Sequence, residues 1–147
     1  MIAIGSDHGG FDLKIAIIEH LKEKQIQYKD FGTFDKKPCD YPVYGAEVAK
    51  SVVSGECEKG IVICTTGVGM SIIANKYRGI RCALVSDPLT ARLTRLHNDA
   101  NILALGGGLL GDVIGKEIVD VFLSTEFSGA QHHIDRIKMI SEKEKDC

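Results

Sequence analysis

The sequence predicts an α/β fold, a Rossmann-like, doubly wound sheet of five parallel strands with helices on both faces. Two observations predict it: short apolar runs of strand length recur along the chain, and stretches with apolar residues at helical spacing separate them. Strands that alternate with helices are joined by right-handed crossovers and therefore lie parallel. At 147 residues the chain suits a single domain, 1–147, built on one hydrophobic core.

The elements follow one another along the whole chain. Five apolar runs are the candidate strands: Ile2–Ser6, Ile26–Phe31, Gly60–Cys64, Ile80–Val85 and Asn101–Leu105. Two helical patterns precede the third run, one formed by Phe11, Ile15, Ile18 and Leu21, the other by Tyr44, Val48 and Val52. Asp87 followed by Pro88 predicts a helix start with the aspartate as N-cap. Two further helices are predicted over about Asp112–Leu123 and His132–Glu144.

The composition excludes several classes of protein. The chain is 44% hydrophobic and 26% charged, as in a folded globular protein, and its net charge of -2 argues against nucleic acid or an acidic membrane as partner. No apolar run approaches the roughly 20 residues that a membrane span needs, and no signal peptide is visible, so we expect a cytoplasmic protein with reduced thiols. The five cysteines and five histidines lack metal-site spacing, so we expect no metal and no other cofactor.

Two polar segments follow predicted strands at the end of the sheet where ligands bind in such folds. Ser6–Gly10 follows the first strand, and Cys64–Gly69 follows the third. A cysteine at the tip of a buried strand is commonly only a small apolar side chain. Here a turn with two glycines follows it, and a helix is expected to start near Met70 or Ser71. Backbone amides of such a turn favour a thiolate and a developing oxyanion.

Known loop motifs do not match the second segment. Ile72 stands where a dinucleotide-binding motif has its third glycine, and no Gly-Lys-Ser/Thr follows as it would in a P-loop. Met70 stands where a cysteine phosphatase would have its arginine.

The remaining polar clusters all have a structural interpretation, and the first two also allow a functional one. Asp7 and His8 fit a helix cap beside a solvated ring, or a site for an anion or hydroxyl. The run His97–Asn101 fits a polar helix end with Asn98 as C-cap, or a functional cluster. His132 and the histidine after it fit a simple helix cap.

Taken together, these segments resemble the family of ribose-5-phosphate isomerase B and galactose-6-phosphate isomerase, and ribose-5-phosphate isomerase B most closely. The matching stretches keep the family's order and spacing along nearly the whole chain: Gly5–Gly10, Asp30–Thr33, Asp40–Pro42, Ser54–Cys57, Gly60–Gly69, Ala74–Lys76, Gly79–Arg81 and His97–Asn101. The resemblance implies a metal-free aldose–ketose isomerase that works on a sugar phosphate through an enediol. It also implies a homodimer with active sites between the subunits, and leaves open whether dimers pair further.

The resemblance also implies roles for residues at matching positions. Cys64 is the base that moves a proton between C1 and C2, since Met70 replaces the glutamate that serves as base in a second subgroup of the family. His97 donates a proton and helps to open the sugar ring. The implied catalytic residues are Asp7, Cys64, Thr66 and His97. The implied substrate-binding residues are His8, Thr65, Gly67, Val68, Gly69, Asn98, His132 and Arg136.

Three departures from the family pattern touch this site. Thr65 replaces a glycine, and it would be strained if that position needed a positive φ. Gly108 stands where family members carry an arginine. Near the C-terminus the family has Gly-Gly-Arg-His-x-x-Arg. Without a gap, Gln131 and Asp135 replace both of those arginines; with one inserted residue, His132 and Arg136 take their positions.

Those arginines bind the substrate phosphate in the family, because a guanidinium matches phosphate oxygens. We therefore expect Arg136, with His8 and His132, to bind the anionic end of the substrate. Ribose 5-phosphate is the leading substrate. The alternatives are another phosphorylated aldose, such as a hexose or tetrose phosphate, and a non-catalytic sugar-phosphate-binding homologue. The helix over about residues 132–144 is expected to pack on the partner subunit.

Overall fold

The computed structural model describes residues 1–147 and contains one five-stranded sheet. The strands are β1 (Ile2–Ser6), β2 (Tyr28–Asp30), β3 (Lys59–Cys64), β4 (Cys82–Leu84) and β5 (Ile102–Gly106). Their order across the sheet is β2-β1-β3-β5-β4, and every neighbouring pair is parallel. The predicted Rossmann-like, doubly wound sheet is therefore confirmed.

The chain has six α-helices: α1 (Phe11–Glu23), α2 (Tyr41–Val53), α3 (Val68–Ala74), α4 (Pro88–Asn98), α5 (Asp112–Ser124) and α6 (Gln131–Glu144). Helices α1, α4 and α5 lie on one face, and α2 and α3 lie on the other. Alternate strand residues fill the two apolar layers, so Ile63 faces α1 and α5 while Val62 and Cys64 face α2 and α3.

The strands differ from the prediction mainly at the two sides of the sheet. β2 is shorter than Ile26–Phe31, and β4 is shorter than Ile80–Val85; both have a neighbour on one side only. Ile80 and Val85 are nevertheless buried, because they pack on the core just outside the paired segment. The apolar runs thus reflect burial as well as strand pairing. β3 begins one residue earlier than predicted, and β5 is displaced by one residue.

The helix ends test the capping predictions. Asp87 caps α4 as predicted, since its carboxylate accepts the Thr90 N–H at 2.7 Å. Asn98 is not the C-cap of that helix. The C-cap is instead Asp99, which has φ 45° and whose carboxylate forms an ion pair with Arg95 at 2.8 Å. α3 begins at Val68, before the predicted start near Met70, and α5 and α6 each extend one residue beyond their predicted bounds.

A buried lysine anchors the chain where β1 and β2 end. Lys14 is fully buried, and its ammonium donates to Asp30 at 2.7 Å and to the carbonyl of Thr33 at 2.6 Å. The N–H of Ser6 donates to the carbonyl of Gly32 at 2.6 Å, so the anchored loop is bonded directly to the end of β1. A charge without water must be paired in this way, and the pairing fixes the start of the loop that carries Asp7.

Helix α6 lies at the surface, and none of its residues is buried. It contacts its own chain near both ends: the His133 ring lies 4.7 Å from that of His97, and Glu144 accepts the Gly79 N–H at 3.1 Å. Contact between this helix and a partner subunit stays a prediction. No helix combines the length and apolar character needed to cross a bilayer.

Candidate active site

Three loops meet at the carboxyl end of the sheet, where its strands finish. They follow β1, β3 and β5, which are neighbours in the sheet. The Asp7 N–H donates to the carbonyl of Ile63 at 3.2 Å, and the Gly107 N–H donates to the carbonyl of Cys64 at 2.8 Å. The two polar segments singled out in the sequence are therefore adjacent, and a third loop, residues 106–110, joins them.

Cys64 ends β3, and its sulfur accepts a hydrogen bond. The Gly67 N–H donates to Sγ at 3.1 Å, and the side chain is 5% exposed. Gly67 has φ +80°, a left-handed conformation that lets the turn fold back on the sulfur. A Cβ atom there would lie 2.6 Å from Leu84 Cδ1 and 2.9 Å from the carbonyl carbon of Leu105. Both the backbone conformation and the available space therefore require glycine beside this thiol.

The hydroxyls of the turn are exposed beside this thiol. Thr65 does not adopt a positive φ, because the only non-glycine residues that do are Gln25 and Asp99. The strain that replacement of a glycine would bring therefore does not arise. The Thr66 hydroxyl accepts the Val68 N–H at 3.3 Å.

The two residues after β1 behave differently. Asp7 is buried, and its carboxylate accepts the Gly10 N–H at 3.1 Å, so the interpretation as a cap is confirmed for this residue. His8 is exposed, and its Nδ1 atom accepts the Cys39 N–H at 3.2 Å. A nitrogen that accepts carries no proton, so the neutral ring has its proton on Nε2. Nε2–H is then the group of His8 that remains to donate to a ligand.

The other predicted site residues lie at the opposite, amino end of the sheet. His97 and Asn98 end α4, and the Asn98 carbonyl accepts from Arg81, which directly precedes β4, at 2.9 Å. The ring of His132 lies 4.0 Å from that of His133, which in turn neighbours His97. Arg136 follows one turn later in α6, at the same end of the sheet.

One chain therefore does not bring the predicted site together. The length of β5 separates the two ends of the sheet, and its five residues span about 17 Å at roughly 3.3 Å per residue. Cys64, His8 and the turn of residues 65–69 lie at one end. His97, Asn98, His132 and Arg136 lie at the other. No side chain can bridge that distance within the molecule.

Two pKa shifts help to sort the titratable groups. Desolvation lowers the pKa of His133, and the neighbouring His132, His97 and Arg136 lower it further. His133 is thus neutral at neutral pH, and its Nδ1 lies 2.7 Å from the Ser128 hydroxyl. Burial raises the pKa of the Cys82 thiol to about 12, which removes that cysteine as a candidate base.

Two contacts of the site were missed in the sequence. Cys39 holds His8 through its backbone N–H, which no side-chain pattern reveals. The ring of Tyr41 lies against Gly69, where a Cβ atom would come within 2.7 Å of it. The stretch Asp40–Pro42 was part of the family resemblance and was the available signal for this second contact.

Comparison with known proteins agrees with this architecture. A family model described as Ribose/Galactose Isomerase matches residues 2–140. The chain is 44% identical to ribose-5-phosphate isomerase B of Escherichia coli, over 98% of this chain and 96% of that one. It is 42% identical to the galactose-6-phosphate isomerase subunit LacB of Clostridium acetobutylicum, over 97% and 82%. The solved structure of Clostridium thermocellum ribose-5-phosphate isomerase B superposes with a TM-score of 0.97 at 50% identity, over 99% and 97%.

The glycine beside the thiol gives a prediction with a matched control. Gly67 and Gly55 both have φ +80°, but nothing lies within 4 Å of a Cβ atom at Gly55. Replacing Gly55 by alanine should cost about 1–2 kcal/mol, the price of a left-handed L residue. Gly67→Ala should cost about 1–3 kcal/mol more, because its Cβ meets Leu84 and the backbone of Leu105. Urea unfolding measures both losses, and equal losses would contradict the steric account.

Proposed function

The chain belongs to the ribose/galactose isomerase family and is an aldose–ketose isomerase of sugar phosphates, and from this premise we propose that it interconverts ribose 5-phosphate and ribulose 5-phosphate with Cys64 as the base. The observation that carries the proposal is the Gly67 N–H aimed at the Cys64 sulfur, at the end of the sheet where two hydroxyl side chains are exposed. The enzyme named for this substrate in E. coli is similar over almost the entire chain.

The chemistry follows from the atoms present. The Cys64 thiolate removes the proton on C2 of the open-chain aldose, and the C–H electrons form the C1–C2 double bond while O1 becomes negative. The proton of O2 then moves to O1, and Cys64 returns its proton to C1 as the O2 electrons form the C2 carbonyl, which gives the ketose and restores the thiolate. Hydroxyls and backbone amides aimed at O1 stabilise the charge as it develops. The turn of residues 65–69 is the source of such donors nearest the thiol.

A second candidate substrate is a hexose phosphate. The relative from C. acetobutylicum is named as a subunit of galactose-6-phosphate isomerase and is 42% identical. Members of the family are therefore named as isomerases of different sugar phosphates. An isomerase assay that compares the two phosphates distinguishes the candidates.

We further propose that two copies of the chain complete the site, with the Cys64 end of one facing the His97 end of the other. Exposed apolar side chains around β4 support this arrangement; we call them the β4-side patch: Val68, Ile72, Leu84, Leu89 and Leu93. Ile72 and Leu89 are each 55% exposed, and exposed apolar side chains in one region of a surface are typical of a protein interface.

The course of the β4-side patch favours a twofold partner. Val68 lies in the turn that follows Cys64. On α4, Leu89, Leu93 and His97 are spaced four residues apart and therefore lie on one side of the helix. The patch thus begins beside one half of the site and ends at the other half. A twofold axis packs such a patch on its own copy and brings the partner's His97 towards Cys64.

Arg136 is proposed to bind the phosphate. It forms no ion pair within the chain, whereas Gln131 and Asp135 on the same helix bond to each other at 2.8 Å. An unpaired guanidinium beside His132 is suited to a dianion. His8 then contributes a neutral Nε2–H donor from the Cys64 half of the site.

Replacing Cys64 tests the proposed chemistry. Cys64→Ala should leave the fold intact and lower kcat on ribose 5-phosphate by about 10²–10⁴, because no other group after β3 can accept the proton. The matched control is Cys147→Ala, which removes an exposed thiol at the C-terminus and should retain full activity. A coupled assay for ribulose 5-phosphate gives the rates, and circular dichroism checks the fold. Near-normal turnover by folded Cys64→Ala would refute the assignment.

Replacing Arg136 tests the phosphate assignment. Arg136→Ala should raise KM for ribose 5-phosphate by about 10- to 100-fold, the size of a lost charge-assisted contact, and should hardly change kcat. Added salt should weaken substrate binding by wild-type protein more than by the variant. The control is Lys138→Ala, which removes another exposed cation from α6. Equal losses on ribose 5-phosphate and on unphosphorylated ribose would show that Arg136 is structural.

A further inference from the structure

Thr65 lies between two glycines that belong to the neighbouring loops. A Cβ atom built on Gly9, in the loop after β1, would lie 2.1 Å from Thr65 Oγ1. A Cβ atom built on Gly108, in the loop after β5, would lie 2.8 Å from Thr65 Cγ2. The hydroxyl of Thr65 thus contacts one loop and its methyl group contacts the other. We call this contact of three residues the Thr65 packing.

Lack of space for a side chain, and not backbone conformation, is the reason for glycine at positions 9 and 108. Neither Gly9 nor Gly108 has a positive φ, so the backbone at both positions is open to an L residue. The Thr65 hydroxyl forms no hydrogen bond within the chain, and the Thr65 carbonyl accepts the Gly108 N–H at 2.9 Å. Contact with the Thr65 side chain, together with this backbone hydrogen bond, therefore limits how closely the three loops approach. The loops after β1 and β5 also contact each other directly, since a Cβ atom on Gly107 would lie 3.0 Å from Gly10 Cα.

We propose that Thr65 is a positioning residue that sets the distance of the β1 loop and the β5 loop from Cys64; this inference rests on the proposed function. The β1 loop carries Asp7 and His8, and the β3 turn carries the thiol. Because the Thr65 side chain separates them, its shape determines where His8 stands relative to the base. A displacement of about 1 Å between reacting groups can cost about 100-fold in rate.

The Thr65 packing also determines substrate recognition. With Thr65 present, position 108 has no room for a side chain, so the β5 loop presents only backbone at this position. The anionic end of the substrate consequently receives no cation from that loop. Thr65 and Gly108, the two departures from the family pattern at this end of the sheet, are thus one change rather than two.

Paired substitutions test the contact atom by atom. Thr65→Ser keeps Oγ1 and removes Cγ2, whereas Thr65→Val keeps Cγ2 and puts a methyl group in place of Oγ1. Gly108→Ala should therefore be rescued by Thr65→Ser but not by Thr65→Val. Gly9→Ala should be rescued by neither. It should be rescued in part by Thr65→Ala, which removes both atoms and leaves contacts of 3.2 and 3.3 Å with Thr65 N and Cβ. The control is Gly111→Ala, since nothing lies within 4 Å of a Cβ atom there.

Two readouts are taken for every variant: Tm, and kcat with KM on ribose 5-phosphate. We expect Gly9→Ala and Gly108→Ala to lower kcat at least tenfold, with smaller changes in KM. Each rescuing substitution should restore most of the lost kcat, because only the tight contacts with the Thr65 backbone and Cβ remain. The Cβ atom of Gly108→Ala overlaps less with Thr65 than that of Gly9→Ala. If Gly9→Ala fails to fold, Gly108→Ala therefore still tests the contact. If the changes in Tm of the two single substitutions simply add in the double variant, the proposed contact between these residues is wrong. If a double variant recovers its Tm but not its kcat, Thr65 does not act as a positioning residue. A wild-type protein without isomerase activity would instead refute the proposed function itself.

Discussion

The direction of the parallel strands is the constraint on which the site depends. Every strand delivers its loop to the carboxyl end of the sheet, and every following helix must run back to the amino end before the next strand can begin. The 11 residues of α4 make that return, a length of about 16 Å at 1.5 Å per residue. They carry His97 and Asn98 away from Cys64. No adjustment of side chains reverses this separation, so the two halves of the site can meet only across a contact between two chains.

Each half of the site is fixed by a different kind of interaction. At the carboxyl end, three loops are held by close contacts between their backbones and between glycines and the Thr65 side chain. One backbone amide of this region points at the Cys64 sulfur. The buried Lys14–Asp30 pair holds the first of these loops from behind. At the amino end, three imidazole rings and a guanidinium lie at the surface on two helices. A closely packed half that carries the proposed base and an exposed half that carries the guanidinium proposed to bind phosphate together suit an isomerase of sugar phosphates.

Much of the fold followed from the sequence, because strand and helix periodicity and the Asp87–Pro88 cap are local signals. The ends of β2 and β4 did not, since burial extends the apolar runs beyond the paired residues. The C-cap of α4 was assigned to Asn98 rather than Asp99, since both residue types tolerate the left-handed conformation. Cys64 and the loop of Asp7 were expected at the same end of the sheet from topology alone. Contacts through backbone atoms, such as that of Cys39 with His8, leave no pattern in the side chains. The Thr65 packing was likewise hidden, because a glycine shows only that space is short and not which residue fills it.

Mixing two inactive variants tests the division of the site most directly. Cys64→Ala and His97→Ala proteins are combined, their subunits are allowed to exchange, and isomerase activity is measured. A heterodimer of the two has one site with both defects and one intact site, so random exchange should restore about a quarter of wild-type activity. Mixing Cys64→Ala with His8→Ala should restore nothing, since both defects lie at the same end of the sheet and no site escapes both. Absence of recovery in the first mixture, with subunit exchange verified by mass spectrometry, would contradict a site built from two chains.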